Sequence, residues 1–373
     1  MSTGSPGFIL RRVDFCDLPG WTEDDPRTLF EGMRNCQAYD QTVKSYRTGS
    51  LGLAYEDMRP VCDALPPEGI DDPVAARSFF ERQFRPFRIC RKDGKSGFVT
   101  AFYEPEVEVS SVPSAIWAYP FYHRPPDLVS LDVSNRPTGM DPTCVFGRLQ
   151  HGDITEYPDR RIIDCGYLQG KGLEIAWAKS KVEVFFAHVQ GAARLRFTDG
   201  SVRRITYAAK SGHLFSAIGR LLIDLGEIEE ESVSMQSIRG WLERNPDRVD
   251  EILWHNRSYI FFREAEVRDS RLGPIAAAKV PLLPGRSLAI DRQIHTFGFP
   301  FFIHSPTLRH LDQGRTFART MLALDTGSAI IGPARGDIFT GSGDTAGVLA
   351  GAVRNDADFY VFVPAAAATR FER

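Results

Sequence analysis

Residues 323–341, ALDTGSAIIGPARGDIFTG, decide how this chain folds. The run Met321-Leu322-Ala323-Leu324 that leads into them is short and apolar, as a buried strand is. Gly327, Gly332, Pro333 and Gly336 follow and allow sharp turns. Ile338-Phe339 resumes the apolar pattern, so the stretch predicts strand, glycine-rich turn, strand. Asp325 closes the first strand, and Asp337 lies directly after Gly336 and before the second apolar pair. A carboxyl held between a turn and an apolar strand is partly desolvated. Desolvation raises its pKa and suits it to act as an acid.

Asp325-Thr326-Gly327-Ser328 after an apolar run is also how pepsin-like proteases present a catalytic aspartate. Those enzymes need two such loops sharing one proton. The only second candidate is Asp344-Thr345-Ala346, 19 residues on and preceded by Ser342-Gly343 rather than by an apolar strand. That interval is too short for a second lobe, and 373 residues is long for a homodimer with one aspartate per subunit.

Composition narrows the class. A chain of 373 residues predicts two domains, and 43% hydrophobic residues supply ample cores. A net charge of −3 argues against a nucleic-acid partner, which calls for a basic surface. No run of 18 apolar residues predicts a membrane span. MSTGSPGFILRRVDF has no apolar segment of signal-peptide length, and Cys16 in VDFCDLP lacks the setting of a lipid-attachment cysteine. The six cysteines form no CxxC pair and the eight histidines no HExxH spacing, so neither a metal nor a cofactor is expected.

Along the chain, Asp25-Pro26 and Asp72-Pro73 each predict a helix start with Asp as cap and Pro in the first turn. Leu29, Phe30, Met33 and Cys36 share one face of the first helix; Ala76, Phe79, Phe80 and Phe84 share one of the second. Gly97–Pro105 predicts an aromatic strand ending in a polar cluster, and Val182–Gln190 a further strand. Arg194–Thr198 and Val202–Tyr207 around Asp199-Gly200 predict a hairpin. Ser211-Gly212 predicts the start of a helix with Leu214, Ile218, Leu221, Leu222 and Leu225 inward. Ser234 and Asn245-Pro246 predict two more helices. The last third predicts short strands at 259–263, 287–291, 300–303, 319–324, 337–339 and 358–363, a spacing that fits a small barrel.

Several separate segments resemble the membrane-bound lytic murein transglycosylase A family. They are TAFYEP (100–105), YPFYHRPP (119–126), HVQGAARLRFTDGS (188–201), YAAKSGHLFSAIGRLLIDLGEI (207–228), SMQSIRGW (234–241), AIDR (289–292) and the 323–341 stretch. The resemblance implies a mainly β, α+β architecture. A double-psi β-barrel catalytic domain, 1–102 plus 261–373 with N-terminal helices, would carry an inserted β-barrel substrate domain, 103–260, with a groove between them. The C-terminal part resembles the three-aspartate barrel module, whose aspartates match Asp291, Asp325 and Asp337.

The implied reaction is non-hydrolytic cleavage of the β-1,4 bond between N-acetylmuramic acid and N-acetylglucosamine in peptidoglycan, leaving a 1,6-anhydromuramyl end. One carboxyl suffices. Asp337 would give its proton to the glycosidic oxygen, then take one from the C6 hydroxyl as that oxygen attacks C1. The resemblance implies substrate-binding positions at Thr100, Tyr103, Glu104, Gln190, Gly191, Tyr207, Lys210, His213 and Asp325, with Asp291 supporting. Blander roles stay open. Asp291 and Asp325 can fold their own loops. Tyr103 and Glu104 can simply end a strand, Gln190 can bond across one, and Lys210 and His213 can cap a helix. A negative Asp325 near Asp337 would raise the latter's pKa. The implied partner is peptidoglycan glycan strands, met by a monomer that joins cell-wall enzyme complexes in the periplasm at the outer membrane. Two alternatives remain. One is a hydrolase using Glu104, Asp325 or Asp344 as a second carboxylate; the other is a non-catalytic glycan-binding protein.

Overall fold

The structure, a computed structural model, describes residues 7–267 and 269–372. The chain forms two compact units. The first comprises the chain up to Tyr103, Val267–Gly341, and the chain from Thr345 on. The second comprises Glu104–Glu266 and the short segment Ser342–Asp344.

The first unit is built on an eight-stranded sheet. Its order is Phe8–Arg12, Phe84–Arg91, Arg354–Pro364, Pro300–Ser305, Phe317–Asp325, Ser287–Ile290, Arg335–Ser342 and Gly97–Glu104. The last of these also pairs with Arg354–Pro364, which closes six strands into a barrel. Ser287–Ile290 runs parallel to Phe317–Asp325 and antiparallel to Arg335–Ser342, so the Asp337 strand is mounted against a central, fully buried neighbour. Strands buried on both faces read as continuous apolar runs, and Met321–Leu324 does. Leu29, Phe30, Met33 and Cys36 from helix Leu29–Thr42, and Ala76, Phe79 and Phe80 from helix Pro73–Gln83, are buried in the same core. Asp72 caps the second helix by accepting from Val74 N and Ala75 N, with Pro73 leading it.

The second unit holds a six-stranded sheet in the order Ile260–Glu264, Val202–Lys210, Ala192–Phe197, Glu106–Ser110, Glu174–Ala178, Tyr119–Tyr122. A bridge between His123 and Phe262 links its two edges, so this barrel is nearly closed. The Asp199-Gly200 hairpin is present, pairing Ala192–Phe197 with Val202–Lys210. Helices Lys181–Gln190, Ile218–Asp224, Met235–Arg244 and Val249–His255 share a satellite core of Phe185, Phe186, Leu222, Trp241, Ile252 and Leu253.

Two expected elements differ. Residues 182–190 form a helix, not a strand. Their Val and Phe content is strand-like, but Ser180 caps the first turn at Val182 N. Gly191 at φ 75° then supplies the left-handed residue that ends it. The helix expected from Ser211 starts only at Ile218. Gly212 has φ 94°, and a Cβ there would lie 2.3 Å from the Phe146 carbonyl oxygen, so the chain must cross that carbonyl before it can coil. Ile218 and Leu222 are buried as expected, whereas Leu214 and Leu225 are exposed.

Candidate active site

Asp337 stands on strand Arg335–Ser342, whose Gly336, Ile338 and Phe339 are buried. A Cβ on Gly336 would come within 2.8 Å of Leu288 Cδ1 and 2.9 Å of Phe359 Cε1. Glycine therefore lets the strand pack closely just before the carboxyl. With a period of two, Arg335 and Asp337 share a face. Thr100, on the neighbouring strand Gly97–Glu104, meets them both. Its hydroxyl donates to Asp337 Oδ1, and Arg335 Nη2 donates to Thr100 Oγ1 at 2.7 Å.

Donor inventory fixes the direction of that chain. A guanidinium only donates, so the Thr100 oxygen accepts from Arg335 and its proton points to Asp337. Oδ1 of Asp337 is thus an acceptor, and the proton of the neutral acid belongs on Oδ2. Burial pushes the Asp337 pKa up, while the Thr100 hydrogen bond and the Arg335 charge oppose the rise. The result is an acid that holds its proton above the ordinary carboxylate range, with a hydroxyl and a cation in place for the anion it leaves behind.

Asp325 ends strand Phe317–Asp325 and accepts from Ala277 N at 3.1 Å. Burial drives its pKa up to about 6, against the amides of Thr326 and Ala277; the charge of Asp337 adds to the rise and Lys279 opposes it. The two aspartates are thus coupled, and because such coupling is reciprocal the charge of either raises the pKa of the other. Asp291 takes up turn amides: Oδ1 accepts from Gln293 N at 2.9 Å and Oδ2 from Gly332 N at 2.8 Å. It ties the start of the barrel loop after Ile290 to the loop between the other two aspartates.

The remaining candidates divide by burial. Glu104 is fully buried, with Arg194 Nε at 3.0 Å, Arg204 Nε at 3.3 Å and Ser342 Oγ at 2.6 Å. Buried in this way, its side chain is taken up by these three partners. Burial still pushes its pKa up against Arg204, Ser342 and Arg194. His213 is buried too, with Nε2 2.7 Å from the Tyr157 carbonyl oxygen. Tyr103 is buried as well, its ring so close to Gly347 that a Cβ there would come within 2.8 Å. Gly191 ends a helix, and its carbonyl accepts from Tyr207 N at 2.8 Å. Gln190 closes that helix rather than lying in a strand. Tyr207 is exposed, and Lys210, at the end of the same strand, is partly buried with its pKa lowered by burial. Lys210 starts no helix, so no helix N-terminus assists it. Thr100, Asp325 and Asp337 belong to the first unit; Gln190, Tyr207 and Lys210 belong to the second.

Arg335 escaped the sequence reasoning, although its signal was present: a cation two residues before the acid shares the acid's face on a strand. Arg194, Arg204 and Ser342 carried no such signal, because they meet Glu104 only through the tertiary fold. Among the described residues, no group of three or more His, Cys, Asp or Glu side chains is placed to hold a metal ion.

Comparison with known proteins bears on the family and the fold. Residues 98–263 match the MltA specific insert domain and residues 286–363 the 3D domain. Membrane-bound lytic murein transglycosylase A of Escherichia coli K12 is 33% identical over 256 residues, which are 68% of this chain and 61% of that protein. The chain thus spans about three fifths of the length of that relative. The crystal structure of a membrane-bound lytic murein transglycosylase from Agrobacterium tumefaciens superposes with a TM-score of 0.92 at 58% identity, covering 98% of this chain and 100% of that one. The crystal structure of E. coli MltA with bound chitohexaose superposes with a TM-score of 0.70 at 25% identity, covering 98% and 97%. The mixed fold with its closed and nearly closed barrels, the two matched domains and a relative alike over its whole length lead to one conclusion: the chain belongs to the membrane-bound lytic murein transglycosylase A family.

Proposed function

We propose that the protein is a lytic transglycosylase that cleaves the β-1,4 bond between N-acetylmuramic acid and N-acetylglucosamine in peptidoglycan and leaves 1,6-anhydromuramyl ends. The observation that carries this is the Arg335–Thr100–Asp337 chain, which favours one carboxyl able to serve in both proton states. Asp337 Oδ2–H protonates the leaving oxygen. The Asp337 anion, held by Thr100 and facing the Arg335 charge, then accepts the C6 hydroxyl proton as O6 attacks C1. The nucleophile is already on the sugar, so no second carboxylate is required.

A hydrolase would need one. The burial of Glu104 between two arginines speaks against that candidate. Asp325 accepts the Ala277 amide and shapes its loop, which supports an auxiliary role in the site. On this proposal the first unit supplies catalysis, with Thr100 and Asp325 beside Asp337, and the second binds glycan through Gln190, Tyr207 and Lys210. Chitohexaose bound to the E. coli relative, a chain of β-1,4-linked amino sugars, supports glycan strands as partner. The monomeric state and recruitment into cell-wall complexes are part of the same proposal. A periplasmic site at the outer membrane follows the relatives' description as membrane-bound. No helix among the described residues is long and apolar enough to cross a membrane.

The test is mass spectrometry of peptidoglycan digested with the purified protein. Anhydromuramyl ends are expected. Reducing ends would indicate the hydrolase, and unchanged glycan a binding protein.

A further inference from the structure

Glu104 is a fully buried carboxylate that the proposed mechanism does not use. It ends strand Gly97–Glu104, four residues beyond Thr100. Ser342 ends strand Arg335–Ser342, five residues beyond Asp337. The two strands are neighbours in one sheet. Two side-chain ties join them: Thr100 donates to Asp337, and Ser342 Oγ donates to Glu104 Oε2 at 2.6 Å. Between these, the single Thr340 hydroxyl proton is shared between the Ala346 and Phe102 carbonyl oxygens, at 2.9 and 3.0 Å. Gly343 N adds a backbone bond to the Glu104 carbonyl at 2.8 Å.

The Ser342–Glu104 tie is the more firmly anchored. Arg194 and Arg204, from the two strands of the 192–210 hairpin, bring Nε atoms to 3.0 and 3.3 Å of the Glu104 oxygens. The Arg194 contact is a charge-assisted hydrogen bond to Oε2, whereas Arg204 faces Oε1 as an ion pair without a hydrogen bond; buried pairs of this kind are costly to break. A one-residue slip between neighbouring strands would turn every side chain to the opposite face. Resistance to slip at Glu104 is therefore felt at Thr100 and Asp337.

We infer that Glu104 and Ser342 form a latch that fixes the register of these two strands and so keeps the Thr100 hydroxyl on the Asp337 carboxyl. Both are positioning residues, acting through Thr100. The inference rests on the proposed role of Asp337, and its test reads the latch with and without catalysis. Glu104→Gln would leave two arginines facing a neutral partner and is the harsher change. Ser342→Ala removes one hydroxyl and leaves the Glu104 charge pair in place; Ser342→Thr keeps the hydroxyl.

With peptidoglycan sacculi as substrate, Ser342→Ala should lower kcat about ten-fold with KM within about two-fold, since small misplacements of catalytic groups cost rate before binding. Ser342→Thr should restore most of the rate. In a Thr100→Val background the same change should cost less than about two-fold, because the two residues act in series. Amide hydrogen exchange across residues 335–342 should quicken about ten-fold in Ser342→Ala and stay unchanged in the other barrel strands. The latch is overturned if a folded Ser342→Ala keeps wild-type kcat and exchange, or if its loss multiplies with that of Thr100→Val. A wild type that releases no anhydromuramyl ends would defeat the proposed function instead, and the exchange measurement would still decide the latch.

Discussion

At the scale of the residue, the account turns on one carboxyl. Asp337→Asn keeps the shape and accepts the Thr100 hydrogen bond, but it can neither give the acid proton nor take one back. General acid–base assistance is worth about 10²–10⁴-fold, and in the proposed mechanism one side chain supplies it in both halves. Cleavage by Asp337→Asn should therefore fall by about 10⁴-fold or more, with thermal unfolding and glycan binding unchanged. Asp325→Asn should cost far less, since Asp325 bonds the Ala277 amide and shapes its loop. A greater loss in Asp325→Asn, with folding intact, would move the acid there. Thr100→Val tests the proton chain. The Thr100 bond lowers the Asp337 pKa against burial, so removing it lets that pKa rise further. The starting acid must be protonated, so activity is lost as pH climbs through this pKa. Thr100→Val should thus show a lower maximal rate with its alkaline limb moved to higher pH. An alkaline limb that moves down would contradict the assignment of the bond.

At the scale of the element, the sequence was most legible where local chemistry and tertiary context agree. Asp72-Pro73 and Ser234 cap helices as their residue types demand, and Asp199-Gly200 turns a hairpin. The 323–341 stretch forms strand, turn and strand because its apolar runs are buried by the barrel, Gly332 turns with φ 117° and Gly336 packs closely against Leu288 and Phe359. Residues 182–190 were misleading: β-branched and aromatic side chains suit a strand, yet here they fill a helical core with Trp241 and Leu253. Residues 211–217 erred the other way. A leucine pattern suggested a helix, but the left-handed Gly212 and its approach to Phe146 are set by a strand far away in sequence. Gly212→Ala should destabilise the protein by at least about 2 kcal/mol, from a strained φ and overlap with a carbonyl. Denaturant titration with a local probe in the second unit would check it, and wild-type stability would show that this turn tolerates a side chain.

At the scale of the whole molecule, family membership was legible because its motifs are dispersed along the chain and occur in order. The roles of individual residues were less so. The partners of Glu104 were not legible because the arginines that bury it lie 90 and 100 residues downstream. Arg335 went unnoticed beside its more conspicuous neighbours, although strand periodicity places it with Asp337. The donor set assembled by the fold bears on metals too. The proposed chemistry needs only a proton donor, and no three candidate ligands converge among the described residues. Cleavage should survive EDTA at full rate; loss in chelator with recovery on adding a divalent ion would contradict this. The central claim is that water takes no part in bond cleavage, because the C6 hydroxyl is the nucleophile and Asp337 is both acid and base. Digestion of peptidoglycan in oxygen-18 water, followed by mass spectrometry of the released fragments, tests it most directly. The account predicts 1,6-anhydromuramyl ends carrying no label; reducing ends labelled at the anomeric oxygen would contradict it.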